Sequence, residues 1–221
     1  MDSLLLTEDG SHTLQHAALK ENYHSIHGAI NESVHIFIQA GLQSCSHGHH
    51  PLQVLEIGFG TGLNAFLTLH YAQTEKAYIQ YLGFEPFPIS VSTAQKLNYP
   101  DLISSCYRND FLLLHQEPWN QKIEFPPYFS FQKIQGQIQM ASLDDDIFDV
   151  AYFDSFSPEV QPEMWTEAIF MKIFRALKPQ GILVTYCAKG MVKRALSACG
   201  FSIEPLPGPK GKREITRARK P

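Results

Sequence analysis

The 221-residue chain predicts an α/β protein: a mostly parallel sheet covered by helices, closed by an antiparallel C-terminal strand and preceded by a small N-terminal extension. Three observations carry this. From residue 52 onward, apolar runs of strand length alternate with segments of helical period, the arrangement that parallel crossovers require. The first apolar run passes into the first helix through Gly58-Phe59-Gly60-Thr61-Gly62, with glycine at every second position. At the far end, Ile215, Arg217 and Arg219 alternate with Glu214, Thr216 and Ala218, as a final strand would.

Taken in order, Leu4-Leu5-Leu6-Thr7 and His12-Thr13-Leu14 flank Asp9-Gly10 and predict a hairpin. A helical period runs from Ile26 to Leu42, with Ile30, Val34, Phe37 and Ile38 on one face. Residues 1–50 thus form an extension ahead of a domain spanning 51–221. In that domain, strand 52–57 precedes a helix from Leu63 to Ala72, and a second strand covers Ala77 to Phe84. Residues 88–97 and 101–115 read as helices. The Pro- and aromatic-rich stretch 117–130 reads as an irregular excursion before a strand at Phe129–Ile134. Phe148–Phe153 is a buried strand. Pro162 starts a helix through Leu177, stopped by Lys178-Pro179-Gln180-Gly181. Gly181–Cys187 is the next strand, 188–199 a helix, and 201–206 with 214–219 the closing antiparallel pair.

Composition narrows the class. No apolar window is long enough to span a membrane, and the polar N-terminus is no signal peptide. Cys45, Cys106, Cys187 and Cys199 are scattered, which fits a reducing compartment, the cytoplasm by default. His47, His49 and His50 invite a metal, but no fixed ligand spacing or second cluster supports one, so none is expected. The net charge of −4 hides an asymmetry: residues 172–221 hold 12 of the 18 Lys and Arg against two acids, so the remainder is strongly acidic. A basic quarter of this kind points to a polyanion, or to a solvated terminal face.

The glycine loop carries the chemistry. Its spacing brings a ligand against the main chain, where a side chain would collide. A phosphate would need a helix N-terminus free of negative charge, yet Glu56 ends the strand two residues before Gly58. A carboxylate there suits a cation such as the sulfonium and ammonium of S-adenosylmethionine. Glu-x-Gly-x-Gly-x-Gly resembles the first motif of the class I methyltransferases, whose sheet is Rossmann-like. Gly60-Thr61-Gly62-Leu63-Asn64-Ala65 also satisfies the relaxed dinucleotide fingerprint. Glu85 and Asp154 end later strands. Glu85 is placed to accept the hydroxyls of a ribose, which implies adenosine without choosing the cofactor.

Further segments resemble one family, the MnmC-like methyltransferases. They are Asp9-Gly10-Ser11, Tyr23-His24-Ser25-x-x-Gly28-Ala29, Glu32, Asp154-Ser155-Phe156-Ser157-Pro158, Pro162-Glu163-Met164-Trp165, Thr185-Tyr186-Cys187-Ala188-Lys189-Gly190-x-Val192-Lys193-Arg194 and Gly211-Lys212-Arg213-Glu214. The resemblance implies methyl transfer from S-adenosylmethionine to the primary amine of 5-aminomethyl-2-thiouridine at the tRNA wobble position. Because this chain ends without a flavin-dependent domain, it resembles the stand-alone, MnmD-type form and is expected to use no flavin. Gly136-Gln137 departs from the Gly-Asp usual after the third strand, with Gln137 left to meet the adenine amino group.

On this reading Glu56, Gly58, Gly60, Gly62, Asn64, Glu85 and Gln137 bind the cofactor, and Asp154 is catalytic. Asp154 orients the amine and either takes its proton or hands it to water; its plainer role is a helix N-cap. Phe156 reads equally as a stacking partner for a flipped uracil or as packing. Tyr23, His24 and Ser25, with Glu32, would roof the pocket or simply pack there. Trp165 reads as core. Lys189, Lys193, Arg194, Lys212 and Arg213 would contact tRNA phosphates in the anticodon region. Three rivals remain: a methyltransferase acting on another amine, an RNA-binding module with a dead pocket, and an NAD-dependent oxidoreductase.

Overall fold

The computed structural model describes residues 2–45 and 51–221. The histidine cluster at 47–50 lies outside the described residues. An eight-stranded sheet organises the chain. Its strands are β3 (Leu52–Ile57), β4 (Ile79–Phe84), β5 (Lys122–Phe125), β6 (Phe129–Ile134), β7 (Phe148–Phe153), β8 (Leu177–Thr185), β9 (Ser202–Pro207) and β10 (Glu214–Arg219), in the spatial order β5-β6-β4-β3-β7-β8-β10-β9. The five strands from β6 to β8 are parallel. At the two ends, β5 pairs antiparallel with β6, and β10 with β8 and β9. A separate hairpin joins β1 (Ser3–Leu6) to β2 (His12–Gln15).

The helices are α1 (Ala29–Ser33, continuing as a π-turn over Val34–Gln39), α2 (Leu63–Glu75), α3 (Val91–Ala94), α4 (Tyr99–Ile103), α5 (Arg108–Gln116), α6 (Glu167–Ala176) and α7 (Gly190–Ala198). Strand side chains alternate between faces. Val54, Tyr81, Phe131 and Tyr152 pack into one core with Phe37, Phe66 and Phe111, from the α1, α2 and α5 side. Leu55, Ile57, Ala151 and Phe153 pack into a second core with Ile169, Phe170 and Ile173 of α6 and Val192 and Leu196 of α7.

The extension is stitched to this frame by specific bonds. Asp9 Oδ2 accepts from Asn31 N (3.0 Å) and Ser11 Oγ from Ala29 N (3.2 Å), so the hairpin turn satisfies donors that the start of α1 leaves open. Asn98 clamps the turn from the other side, accepting from His12 N and donating to Gly10 O, both at 2.8 Å. Phe37 lies 5.2 Å from the ring of Tyr152, which makes α1 continuous with the sheet core.

Four sequence expectations are corrected. The excursion 117–130 contains a strand, β5, whose Lys-Ile-Glu-Phe alternation is cut short by Pro126-Pro127. The expected helices 88–97 and 101–115 are shorter pieces, because Pro100 opens a new helical turn, α4, after Asn98. Pro162 begins only a 3-10 turn, Pro162–Met164, and α6 starts at Glu167. Trp165 marks that break, its indole donating to Phe156 O at 2.8 Å. Leu177 is already strand, pairing with Phe148, and the next partners are Val150 and Ile182, so Lys178–Gly181 bulges out. Lys178 holds that bulge on Asp149 at 2.8 Å.

Candidate active site

The chain order reverses at β3: β4 lies on one side of it and β7 on the other. Ligand crevices of open α/β sheets form outside the carboxyl ends of strands at such a point. A cavity of about 700 Å³ opens there, lined by Gly58, Gly60 and Asn64 after β3, Glu85 and Phe87 after β4, Gln137 after β6, and Asp154 and Phe156 after β7. Tyr23, His24, Ser25 and Glu32 reach it from the N-terminal extension, and Lys212 from the β9–β10 loop.

The loop leaves β3 with Gly58 N donating to Phe84 O at 3.0 Å, and Gly60 N donating to Glu85 Oε2 at 2.9 Å. Glu85 Oε1 accepts from Phe87 N at 2.9 Å. Each Glu85 oxygen therefore keeps a lone pair for a diol. Burial holds the carboxyl above its ordinary range, and these two N–H bonds pull it back. His115 and Tyr99 brace the loop from below: His115 Nε2 lies 3.1 Å from Thr61 O, and Tyr99 donates to Thr61 Oγ1 at 3.2 Å. Burial keeps His115 neutral, its pKa pushed down to about 3. Gly62 caps α2 in a left-handed conformation and faces His115, and it does not line the cavity.

Glu56 corrects a sequence expectation. It was to meet the ligand as a carboxylate, but it is 0% exposed and does not line the cavity. Strand parity is the reason: Glu56 shares a face with Val54 and points beneath α2. It reaches the cavity through Asn64, whose Nδ2 donates to Glu56 Oε1 at 3.0 Å and to Asp154 Oδ2 at 2.8 Å. Asn64 Oδ1 is buried without a hydrogen-bond partner. Burial pushes the Asp154 carboxyl up to about 7; the Glu32 charge adds to this, while Asn64 and Lys212 oppose it.

Above the loop, Tyr23 and Phe156 meet edge to face at 5.1 Å, and His16 joins them, 5.6 Å from Phe156. His24 is buried against Thr13, with its pKa lowered to about 4 by burial, so it is neutral. Ser25 N donates to Glu32 Oε2 at 2.8 Å. Lys212 Nζ lies 3.3 Å from Glu32 Oε1 and 4.6 Å from the Tyr186 ring centroid, so it turns into the cavity and not toward an open face. The expected phosphate contacts are otherwise dispersed. Lys189 pairs with Glu159 and Lys193 with Glu214, while Arg194 and Arg213 are exposed and form no ion pair among the described residues. Of the 12 basic residues after position 171, eight pair with acids, so most of that charge is neutralised locally.

Sequence reasoning missed His16, Glu21 and Tyr186, which also line the cavity. Tyr186 and Glu21 fix the loop after β7, the first donating to Ser155 O at 2.9 Å and the second accepting from Ser157 N at 3.2 Å. Tyr186 follows the end of β8, the strand-end signal that also marks Asp154 and Glu85, whereas no local pattern marks His16 and Glu21, which the N-terminal extension brings in. Among the described residues no cluster of metal-ligating side chains forms, and no helix is long and apolar enough to cross a membrane.

Residues 118–221 match a family described as S-adenosyl-L-methionine-dependent methyltransferase. The chain also aligns with the crystal structure of MNMC2 from Aquifex aeolicus at a TM-score of 0.78 and 26% identity, over 99% of this chain and 70% of that one. The chain is similar to the MnmC-like methyltransferases. It is 28% identical over 219 residues to the tRNA 5-methylaminomethyl-2-thiouridine biosynthesis bifunctional protein MnmC of Aeromonas hydrophila, covering 87% of this chain and 32% of that protein. With the protein of that name from Cupriavidus metallidurans, identity is 29% over 212 residues, covering 89% and 31%. The methyltransferase thus spans about a third of the length of the curated relatives it matches.

S-adenosylmethionine is the cofactor of this class I fold. The cavity residues fit it. A side chain on Gly60 would press on the Tyr23 ring at 3.1 Å, so the space above the loop exists only while that position is bare. The orphaned Asn64 Oδ1 is an acceptor beside that space, suited to an ammonium.

Proposed function

We propose that this methyltransferase transfers the methyl group of S-adenosylmethionine to the primary amine of 5-aminomethyl-2-thiouridine, or its 2-oxo form, at the tRNA wobble position, giving the 5-methylaminomethyl nucleoside. The observation that carries this reading is Asp154: a cavity-lining carboxyl beside the glycine loop, locked by Asn64, under the paired rings of Tyr23 and Phe156. The names of the MnmC relatives supply the substrate class. Glu85 would take the ribose hydroxyls, Gln137 the adenine edge, Gly58 and Gly60 the approach of the methionine part, and Asn64 Oδ1 its ammonium.

Bound S-adenosylmethionine supplies an electrophilic methyl on a sulfonium, which leaves as a neutral thioether. The protein's work is on the acceptor. An alkylammonium near the reference value of about 10.4 has no lone pair at neutral pH. Asp154, with Glu32 and Glu21 in the same cavity, draws in the cation. Its raised pKa makes it a better proton acceptor than an ordinary aspartate, and it aims the freed lone pair along the methyl axis. Phe156 would stack on the flipped base with Tyr23 bracing it edge to face, and residues 2–45 would act as the cap that excludes water. We place this activity in the cytoplasm, where the tRNA is.

The test is nucleoside mass analysis. Purified protein, S-adenosylmethionine and tRNA carrying 5-aminomethyl-2-thiouridine should yield 5-methylaminomethyl-2-thiouridine; tRNA recovered unchanged defeats the proposal. The local pairing of the basic residues favours a second reading, a smaller amine as acceptor. Competition by bulk tRNA against such an amine separates the two. If tRNA is the substrate, Arg194 and Arg213 remain its exposed phosphate contacts. The double variant R194A/R213A should weaken tRNA binding and lower the slope of log affinity against log salt by about 2. An unchanged slope removes this face from the interface.

A further inference from the structure

Glu56 has three properties that do not sit together for an ionised side chain. It is fully enclosed, it touches neither cavity nor cation among the described residues, and its Oε2 has no hydrogen-bond partner. The Tyr81 hydroxyl, next to it on β4, is equally buried and faces Glu56. A hydrogen bond between the two satisfies both atoms, but it leaves the charge of a fully enclosed carboxyl without a cation, and a proton on Glu56 removes that charge. As a neutral acid Glu56 still shares a hydrogen bond with Tyr81 through Oε2, and Oε1 is the carbonyl oxygen that accepts from Asn64.

We propose that Glu56 is a positioning residue for methyl transfer, acting as a neutral acid: hydrogen-bonded to Tyr81 behind it, it fixes the Asn64 amide so that the second N–H of that amide holds Asp154. Asn64 has only two amide hydrogens, and both are committed, one to each carboxyl group. That commitment fixes the rotamer of Asn64 and leaves Asn64 Oδ1 turned from both acids. It also anchors one oxygen of Asp154, so the other is presented to the acceptor. The loop glycines on β3 and the acceptor carboxyl after β7 are thereby set in one register by a single side chain from α2.

The groups facing Glu56 agree with this. Burial and the charges of Asp154 and Glu85 raise its pKa, hydrogen bonds from Tyr81 and Asn64 pull it back, and Tyr81 and Tyr152 are neutral phenols whose own pKa values are pushed up by burial; among the described residues no cation pairs with it. Burial is the largest cause, and it brings Glu56 to about 8. Loss of the Glu56 side chain leaves an N–H of Asn64 unpaired and frees the amide to rotate, so the loss falls first on orientation of Asp154 and, through Asn64 Oδ1, to a smaller degree on the cofactor.

This inference rests on the methyl-transfer reading for its kinetic arm only. The first measurement is independent of activity: infrared difference spectroscopy of wild type minus E56Q at neutral pH, without ligand. A protonated carboxyl C=O band present in wild type and absent from E56Q is expected, and it should shift in Y81F. A carboxylate band in its place overturns the proposal. In the second arm, E56A should lower kcat by about 10- to 100-fold, with S-adenosylmethionine affinity, by calorimetry, falling by less than about ten-fold through the freed Asn64 amide. E56Q, which keeps a carbonyl for Asn64 and a donor for Tyr81, should recover most of that loss. An E56Q protein that binds S-adenosylmethionine ten-fold or more weakly, on the order set for lost charge-assisted bonds, would show an ionised Glu56 reading the cofactor, and the proposal fails. If wild type itself does not methylate the tRNA, the substrate assignment fails while the infrared and calorimetric arms still decide Glu56.

Discussion

The D154N variant should lose about 10³-fold in kcat/KM for methyl transfer, with S-adenosylmethionine binding changed by no more than about three-fold. Asparagine preserves size and can still accept from Asn64, so the loss isolates charge and basicity. The pH profile gives the sharper signature. Only the ionised form of Asp154 accepts from an ammonium, and its pKa is raised to about 7, first by burial. Wild-type kcat/KM should therefore rise about ten-fold per pH unit up to about pH 7 and then level off. The same raised pKa acts on stability with the opposite sign. Between 3.8 and about 7, the folded protein holds a proton that the unfolded chain has released, so stability contributed by this group falls as pH climbs through that window. D154N removes the term and should melt above wild type at about pH 8, where the carboxylate would be charged and buried. A variant keeping more than about a tenth of activity, beyond what loss of a general base permits, would release Asp154 from its role. So would a wild-type profile that is flat across the acid limb.

Much of the fold was legible because its strands are short apolar runs with abrupt ends. β3, β7 and β6 each stop at a glycine, an acid or a polar turn, and alternation with helical periods leaves few topologies. What escaped has local causes. β5 is four residues with two exposed charges, and its neighbours Pro126 and Pro127 hide it among turn residues. α3 to α5 look like two helices because the apolar period continues across Asn98-Tyr99-Pro100, where the backbone does not.

The site was legible in membership more than in orientation. Asp154, Glu85 and the loop glycines end strands, and topology alone sends strand ends to the crevice. The orientation of Glu56 follows from counting by two from Val54, a signal that was present in the sequence but silent about what α2 would offer it. Lys212 was beyond reach. As one of a basic run it reads as a phosphate contact, and only the return of the β9–β10 loop over Glu32 turns it inward. Charge counted along the chain misled for the same reason: Glu8, Glu32, Asp146, Asp149 and Glu159 are distant in sequence and adjacent in space to the basic residues they neutralise.

Gly58→Ala should be the most damaging single-methyl change in the loop, and Gly60→Ala distinctly milder for stability. Both positions have positive φ, 93° and 50°, so each substitution carries backbone strain. What the new methyl meets separates them. At Gly58 it would lie 2.5 Å from Asp154 O and 2.9 Å from Asp154 C, main-chain atoms at the end of β7. Relief requires β3 and β7 to part there, against Asp154 N→Ile57 O at 2.9 Å, and it displaces the residue on which the chemistry depends. At Gly60 the methyl meets the Tyr23 ring at 3.1 Å, a side chain of the cap that can swing outward. Gly58→Ala is thus expected to cost about 2–4 kcal/mol in denaturant unfolding and to abolish turnover, through strain combined with an immovable clash. Gly60→Ala should cost about 1 kcal/mol, with its main effect on cofactor affinity, as Tyr23 leaves its place over the loop. Chemical denaturation and calorimetry on the two variants test the pair. Equal destabilisation would mean that the main chain of β7 yields as readily as a tyrosine ring, and the rigid register of loop and Asp154 would have to be abandoned.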